Sequence, residues 1–209
     1  QVAMIRQQLG LDKPLLVQLY VWLSAILSCD LGESFFFKKT VTSLIADRIE
    51  PTLALAVFTL VIAVAIAVPL GIFAAMRRGS LLDRLVMGFS VMGFSVPAFV
   101  IGYALIYVFA IKLQWLPVQG YSRIANGIEP WARSLILPSL TLAVIYVALI
   151  ARMTRTSLLE VLGEDYIRTA YSRGLTPLQV LTRHALPNAA VPIVTVIGLE
   201  FGSVIAFAI

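Results

Sequence analysis

Side chains that could make or break bonds are few and widely spaced in this sequence. One histidine, eleven acidic residues and a single cysteine, Cys29, are spread over 209 residues. Serine hydrolases carry recognisable motifs around the nucleophilic serine, and ATP-binding loops need a glycine-rich turn followed by Lys-Ser/Thr. The sequence contains neither motif, and it has no Cys/His cluster with metal-ligand spacing. We therefore predict no catalytic site, no ATP site and no resident metal or cofactor.

Glu200 is the one charged residue in a long apolar run, residues 189–209. An ionisable side chain at membrane depth is costly and is by default a functional candidate. We therefore assign Glu200 to a candidate translocation pathway. The alternative is a carboxyl group that faces the interior of a helix bundle, where it is hydrogen-bonded or protonated.

A polar stretch lies between apolar runs at residues 163–188. Residues 157–171 place apolar side chains every three or four positions, which predicts a helix with one apolar face. Gly174 follows, and glycine readily adopts the left-handed conformation that ends helices. The sequence therefore predicts a helix that stops in a sharp turn at Gly174.

A second, shorter helix is predicted directly after this turn. Thr176 is a suitable N-cap, Pro177 takes the first helical position, where its missing N–H costs nothing, and Gln179 completes a capping box. We expect Pro187 and Asn188 to end this helix. One face is predicted to carry Leu178, Leu181 and Ala185. By pattern alone, such a helix–turn–helix is either a simple connection or a docking element.

The amino-acid composition indicates what kind of structural elements hold these residues in place. The chain is 60% hydrophobic and 13% charged, whereas a soluble domain is usually about 45–50% apolar and about 25% charged. Such an apolar excess predicts an all-α, polytopic membrane helix bundle. The net charge of +5 then indicates basic loops beside anionic lipid or a cytoplasmic partner, and we expect no nucleic acid.

Four apolar segments are predicted to cross the bilayer: residues 53–75, 85–111, 135–151 and 189–209. Alternation puts loops 76–84 and 152–188 on one side, and residues 1–52 and 112–134 on the other. Each side carries eight of the 16 Lys and Arg. The first side concentrates them near the ends of the spans, which favours a cytoplasmic location for it.

Residues 85–111 contain a tandem repeat, MGFSV-MGFSV, followed by proline. Glycine and serine let helices approach closely and bond across the contact, and a proline frees a backbone carbonyl. We therefore place Ser90, Ser95 and Pro97 in the candidate translocation pathway, on a bending helix. Ordinary packing between helices is the alternative explanation.

The N-terminal part is predicted to be an external amphipathic segment, residues 1–52. The apolar run at residues 15–27 is too short for a span, so we expect an interfacial or partly buried helix there. Residues 40–50 fit another short amphipathic helix. The three phenylalanines at 35–37 suit core packing or a membrane-interface anchor, and Cys29 is interpreted as a small apolar core residue.

Residues 165–175 (DYIRTAYSRGL) and 183–188 (RHALPN) resemble the coupling-loop motif of the membrane subunits of ABC importers, and the dipeptide/oligopeptide/nickel permease branch in particular. The general pattern is Glu-Ala-Ala, three residues, Gly, nine residues, Ile-x-Leu-Pro. The positions that match are Ala170, Gly174, Leu186 and Pro187, and those that differ are Arg168, Thr169 and His184. The differences resemble the peptide-permease variant.

This resemblance implies an ABC importer type I permease fold, with about four of six spans in the present chain. It implies that residues 53–209 form the transmembrane permease domain and that loop 152–188 is cytoplasmic and couples through residues 164–188. Further spans are expected before Gln1 and after Ile209. The implied location is the inner (plasma) membrane of a bacterium or archaeon.

The resemblance also implies partners and roles. A second homologous permease, two ATP-binding subunits and an external solute-binding protein would complete an importer of peptides or related small solutes. The residues implied to contact or orient the ATP-binding subunits are Arg168, Thr169, Ala170, Arg173, Gly174, Leu175, Leu178, Arg183 and Pro187. Leu175 and Leu178 would be buried in the groove of the ATP-binding subunit.

Two alternatives from other classes stay open on the residues alone. A secondary transporter or channel driven by an ion gradient would need several charged groups within the spans, and Glu200 is the one present. A membrane scaffold would use the 163–188 loop only to hold a partner. In that case, changes in the loop would leave solute flux unaltered.

Overall fold

The computed structural model describes residues 13–28, 30–34 and 36–208, with the side chains of Phe94, Phe207 and Ala208 left aside. Regular structure within these ranges is helical, apart from an isolated bridge between Glu33 and Thr40. The chain divides into two units, Gln1–Glu50 and Pro51–Ile209. The predictions for Cys29 and Phe35 lie outside the described residues.

In the first unit, helix α1 covers Leu15–Leu27, as the sequence predicts. None of its residues is buried within the chain, so its apolar surface is available to lipid or to another protein. The Asp30 Oδ1 atom accepts a hydrogen bond from the Gly32 N–H at 2.9 Å and shapes the turn after the helix. Phe36 and Phe37 are 94% and 68% exposed, which suits the interface anchor and argues against a core role.

Helix α2 runs over Val41–Met76 and contains Pro51 and Pro69. The sequence had predicted a separate helix over residues 40–50 and a span from 53, and that division is wrong. A proline removes one intrahelical hydrogen bond, whereas ending a helix exposes several backbone groups. In an apolar segment those groups have no other partner, so the helix continues.

The predicted span at residues 85–111 is broken. Helix α3 covers Leu81–Ser95, helix α4 covers Ala98–Leu105, and π-helical turns continue over Ile106–Lys112. The parts on either side of the break differ in direction by 104°. Val96 has extended backbone angles (φ −94°, ψ 121°), as expected for the residue before a proline. A single tilted span is therefore not what this sequence forms.

Helix α5, Ile128–Leu162, is much longer than the predicted span at 135–151. It begins inside the predicted loop 112–134, after a short 3-10 turn at Ile124–Asn126, and it absorbs the start of the helix predicted at 157–171. That predicted helix is split, because Gly163 ends α5 and a new helix, α6, covers Asp165–Ser172. Hydropathy had marked only the most apolar portion.

The core of the second unit is built around α5, which packs against α3, α4 and the last helix, α8 (Leu186–Ala208). A Cβ on Gly71 of α2 would lie 2.6 Å from the Thr154 Cβ, and one on Gly93 would lie 2.8 Å from the Ala148 Cβ. The close contacts are therefore made at residues without side chains. Small side chains spaced three or four apart form the buried stripe of α2: Ala56, Thr59, Ala63, Ala67, Gly71 and Ala74.

Among the described residues, three helical stretches are long and apolar enough to span a bilayer: Val41–Met76, Ile128–Leu162 and Pro177–Ala206. The bent pair formed by α3 and α4 makes a fourth if it counts as one span. This confirms the predicted all-α membrane helix bundle of about four spans.

Candidate functional site

The turn at Gly174 has the predicted form. Its φ is +81°, in the left-handed region, and its N–H donates to the Tyr171 carbonyl at 2.9 Å. A Cβ built at this position would meet nothing within 4 Å. The requirement for glycine is thus set by backbone conformation and not by lack of space.

The capping box at the start of the next helix is also confirmed. The Thr176 Oγ1 accepts from the Gln179 N–H at 3.4 Å, and the Gln179 Oε1 accepts from the Thr176 N–H at 2.9 Å. Pro177 follows at the first helical position of α7, Pro177–Val180. These reciprocal bonds fix where α7 begins and hence the direction in which it leaves the turn.

Removing the cap should loosen this helix measurably. We expect Thr176→Ala to cost about 1 kcal/mol of local stability, and so to raise amide hydrogen exchange over residues 178–180 about fivefold at equal global stability. The matched control is Thr182→Ala, since the Thr182 hydroxyl only donates to the Leu178 carbonyl within the helix. Equal protection in Thr176→Ala and the wild type would contradict a role for the cap.

The second helix does not end at Pro187 and Asn188, so that prediction is wrong. A π-helical turn over Leu181–Ala185 joins α7 directly to α8. The Leu186 N–H bonds to the Leu181 carbonyl, five residues back. This wider turn takes up the register change ahead of the proline ring, so the helix passes through it.

One side of this helix–turn–helix is built into the bundle. Its buried residues form a cluster, here called the loop core, which draws on α2, α5, α6, α7, the π-helical turn and α8: Ala75, Leu158, Ile167, Ala170, Val180, Leu181, Ala185, Ala189 and Ile193. The loop therefore forms part of the folded core and is held by three neighbouring helices at once, α2, α5 and α8.

The predicted apolar face of the short helix is partly wrong. Leu181 and Ala185 are buried, but Leu178 is 66% exposed, and the residue buried beside them is Val180. The sequence signal for Val180 was its adjacency to Leu181 in an otherwise polar stretch. Counting in threes and fours gives the spacing of apolar residues but does not show which of Leu178 and Val180 the neighbouring helices cover, and Val180 is the one that lies in the loop core.

The opposite side of the loop faces outward. Of the residues implied to contact ATP-binding subunits, most are exposed: Arg168, Thr169, Arg173, Gly174, Leu178, Arg183 and Pro187. Ala170 is buried in the loop core, and Leu175 is half-buried against it. Leu175 thus already has an intramolecular partner, whereas Leu178 offers its side chain outward.

A cavity of about 490 Å³ opens between α6 and the π-helical turn. It brings together four predicted residues, Thr169, Ala170, Arg173 and Leu175, with Tyr166 and His184. Sequence reasoning assigned no role to Tyr166 or His184. The lining therefore combines polar and apolar side chains in one concave surface of the loop.

The residues assigned to a translocation pathway are not gathered in one place. Ser90 is buried in α3 and its hydroxyl donates to the Val86 carbonyl at 2.9 Å, whereas Ser95 is exposed and donates to the Val91 carbonyl at 3.1 Å. Pro97 is exposed at the break. Glu200 is half-buried on α8. Their pathway role stays a prediction.

Comparison with known protein families supplies the decisive observation. A family model described as the binding-protein-dependent transport system inner membrane component matches residues 67–209, which includes the loop and its core. The chain belongs to this family. Its members are membrane components of transport systems, in keeping with the apolar helices, and a membrane location follows.

Several relatives of this transport family cover nearly all of the chain. A probable peptide ABC transporter permease of Sinorhizobium fredii is 52% identical over 204 residues, covering 98% of this chain and 65% of the relative. A putative peptide transport system permease of Brucella abortus is 39% identical with the same coverage. A glutathione transport system permease of Salmonella typhimurium is 40% identical, over 96% of this chain and 63% of the relative. The chain thus spans just under two thirds of the length of these relatives.

Proposed function

We propose that the protein is a membrane-spanning permease subunit of an ATP-driven importer for peptides or related small solutes such as glutathione. The observation that carries the proposal is the two-sided loop at residues 164–188. One side is part of the bundle core and the other presents Leu178, Arg173 and Arg183 outward. The names of the relatives, which are peptide and glutathione permeases, support the substrate class.

This chain would form part of the translocation pathway, and its partners would supply the energy for transport. Two ATP-binding subunits would bind and hydrolyse ATP, a second homologous permease would complete the pathway, and an external binding protein would deliver the solute. In this arrangement residues 1–52 face outward and loop 152–188 faces the cytoplasm of a bacterium. The permease itself would catalyse no reaction.

Coupling would act through the loop core. When the ATP-binding subunits close, they would displace α7, and the buried Val180 and Leu181 would pass the displacement to Leu158 of α5 and Ile193 of α8. Close-packed side chains transmit such a displacement as a shift of whole helices, because the interior has no slack to absorb it. The solute would then move past α3 and α8, where Ser90, Ser95, Pro97 and Glu200 lie.

An exposed leucine tests the docking surface. We expect Leu178→Asp to abolish co-purification of the ATP-binding subunits with the full-length protein, because a carboxylate would have to be desolvated in the interface. The control is Leu81→Asp, since Leu81 is 72% exposed in the first turn of α3, where an acidic residue suits the helix dipole. The measurement is affinity purification from mild detergent with mass spectrometry.

The same purification separates the proposal from its rivals. Recovery of two ATP-binding subunits and a second permease with the wild type, with the ATP-binding subunits missing from the Leu178→Asp preparation, would support the importer. A wild-type chain that purifies alone or only with copies of itself would contradict it. That result would favour a gradient-driven transporter and make Glu200→Gln the next variant to measure.

A further inference from the structure

A buried carboxylate joins three helices at the loop-bearing end of the bundle. Asp83, in the first turn of α3, is 4% exposed. Its Oδ2 accepts from the Gly79 N–H at 2.8 Å and from the Arg155 Nη2 at 2.9 Å, and its Oδ1 accepts from the Arg155 Nε. Its own N–H donates to the Ser80 hydroxyl at 3.3 Å. One side chain thus fixes the turn after α2, the start of α3 and a point on α5.

The pair is bidentate and shielded from water. The side chains of Asp83 and Arg155 are 6% and 18% exposed, whereas those of the pair Glu129–Arg133 are 79% and 53% exposed. Burying two charges costs about as much as their attraction returns, so stability alone does not explain such a pair. What a two-bond guanidinium–carboxylate contact supplies is a fixed relative orientation of the two elements that carry it.

The location of the pair relates it to the loop. Leu158, one turn beyond Arg155 on α5, belongs to the loop core, and so does Ala75 at the end of α2. In the described part of the chain, the loop core includes no residue of α3, and α3 packs mainly against α5. A displacement of the loop can therefore reach α3 through α5 or through α2 and the turn that follows it. Asp83 is bonded to both routes, to Arg155 on α5 and to the Gly79 N–H in that turn.

We propose that Asp83 and Arg155 are positioning residues for energy coupling. The pair makes the loop end of α3 follow α5, so a displacement of the loop is delivered to the 104° break after Ser95 and to the proposed pathway. This inference rests on the proposed function. Neither residue contacts solute or nucleotide; each acts by holding one helix to the other.

The test uses the full-length protein reconstituted in liposomes with its permease, ATP-binding and solute-binding partners. Uptake of a mixed pool of isotope-labelled tripeptides and glutathione is measured together with ATP hydrolysis. Arg155→Lys keeps the charge but loses the two-bond geometry, and we expect the ATP consumed per solute imported to rise about tenfold. Asp83→Asn should act in the same direction, and the double variant should add little to either change.

The control is Glu129→Gln, which breaks the exposed pair with Arg133 and should leave the ATP-to-solute ratio unchanged. A purely structural pair would lower uptake and hydrolysis together, in proportion to the amount of complex. A proportional loss of this kind, or an unchanged ratio in both Arg155→Lys and Asp83→Asn, would overturn the proposal.

A second measurement does not depend on transport. Spin labels at Leu85→Cys on α3 and Thr156→Cys on α5, in a background where Cys29 and every other cysteine of the full-length protein are replaced by serine, should give one narrow distance distribution that broadens in Arg155→Lys. An unchanged distribution would count against the connection whether or not solute is imported. If the wild type imports none of the probes while the labels behave as expected, the proposed function fails and the connection between the helices stands.

Discussion

Replacing Gly174 with valine is expected to abolish solute uptake while leaving the protein inserted and folded. Gly174 has a φ of +81°, a conformation that costs a residue with a Cβ about 1–2 kcal/mol and a β-branched residue more. The simplest relief is for the turn to open, which changes the angle between α6 and α7. Val180 and Leu181 lie in the loop core at the present angle, and we expect a change of that angle to move α7 and the exposed Leu178 with it.

Two further variants separate conformation from bulk. Gly174→Asn should retain most uptake, since asparagine tolerates the left-handed region and a Cβ here meets nothing within 4 Å. Gly32→Val places the same strain (φ +76°, with equal space) in the turn after α1. It should cost similar stability but allow more uptake. Wild-type uptake by Gly174→Val, with insertion confirmed by protease protection, would remove the turn from the coupling mechanism.

The features that sequence predicts well here are local. The Gly174 turn, the Thr176–Gln179 capping box and the ends of α1 each depend on the residues within one turn of chain, and all three are confirmed. The first two are cases in which a single backbone requirement, a left-handed φ or an unpaired N–H, selects a small set of residue types. Helix α1 has no side-chain cap at its start, and its bounds are those of the apolar run.

Helix length was harder to predict because hydropathy indicates which residues lie in the hydrocarbon, whereas backbone hydrogen bonds determine where a helix ends. Arg152 and Arg155 end the apolar run of α5, yet the helix continues to Leu162. A charge marks where a helix leaves the hydrocarbon, not where its backbone bonds stop. The break at Pro97 shows the converse: a proline signals a bend, but an angle of 104° depends on how α4 packs against α5.

Contacts between distant residues gave no signal in the sequence. Asp83 and Arg155 are 72 positions apart, and each reads as one more charge in a hydrophilic turn or at a span end. The face of α7 is a smaller case of the same kind. Val180 is buried and Leu178 is not, because Val180 lies in the loop core with residues that are distant in the sequence, such as Ala75 and Leu158.

The second large expected effect is a loss of stability when the contact between α2 and α5 is disturbed. We expect Gly71→Ala to destabilise the folded protein by about 1–3 kcal/mol, because the new methyl group overpacks a rigid contact. The added Cβ would lie 2.6 Å from the Thr154 Cβ and 2.7 Å from the Ala151 carbonyl oxygen. A backbone oxygen on a central helix cannot swing aside as the end of a long side chain would, so the two helices must separate. Gly71→Val should be worse, because it adds two more carbons at the same point.

The same substitution at a second glycine is expected to change stability in the opposite direction. Gly88 lies on helix α3, and a Cβ built there meets nothing within 4 Å. Gly88→Ala should therefore stabilise the protein by up to about 1 kcal/mol, the usual gain in helix propensity, while the identical change at Gly71 does the opposite. Unfolding in increasing sodium dodecyl sulfate, followed by circular dichroism, measures both. If Gly71→Ala unfolds at the same or a higher detergent fraction than the wild type, the two helices do not cross this closely, and the loop core loses the contact that fixes Ala75 beside Leu158.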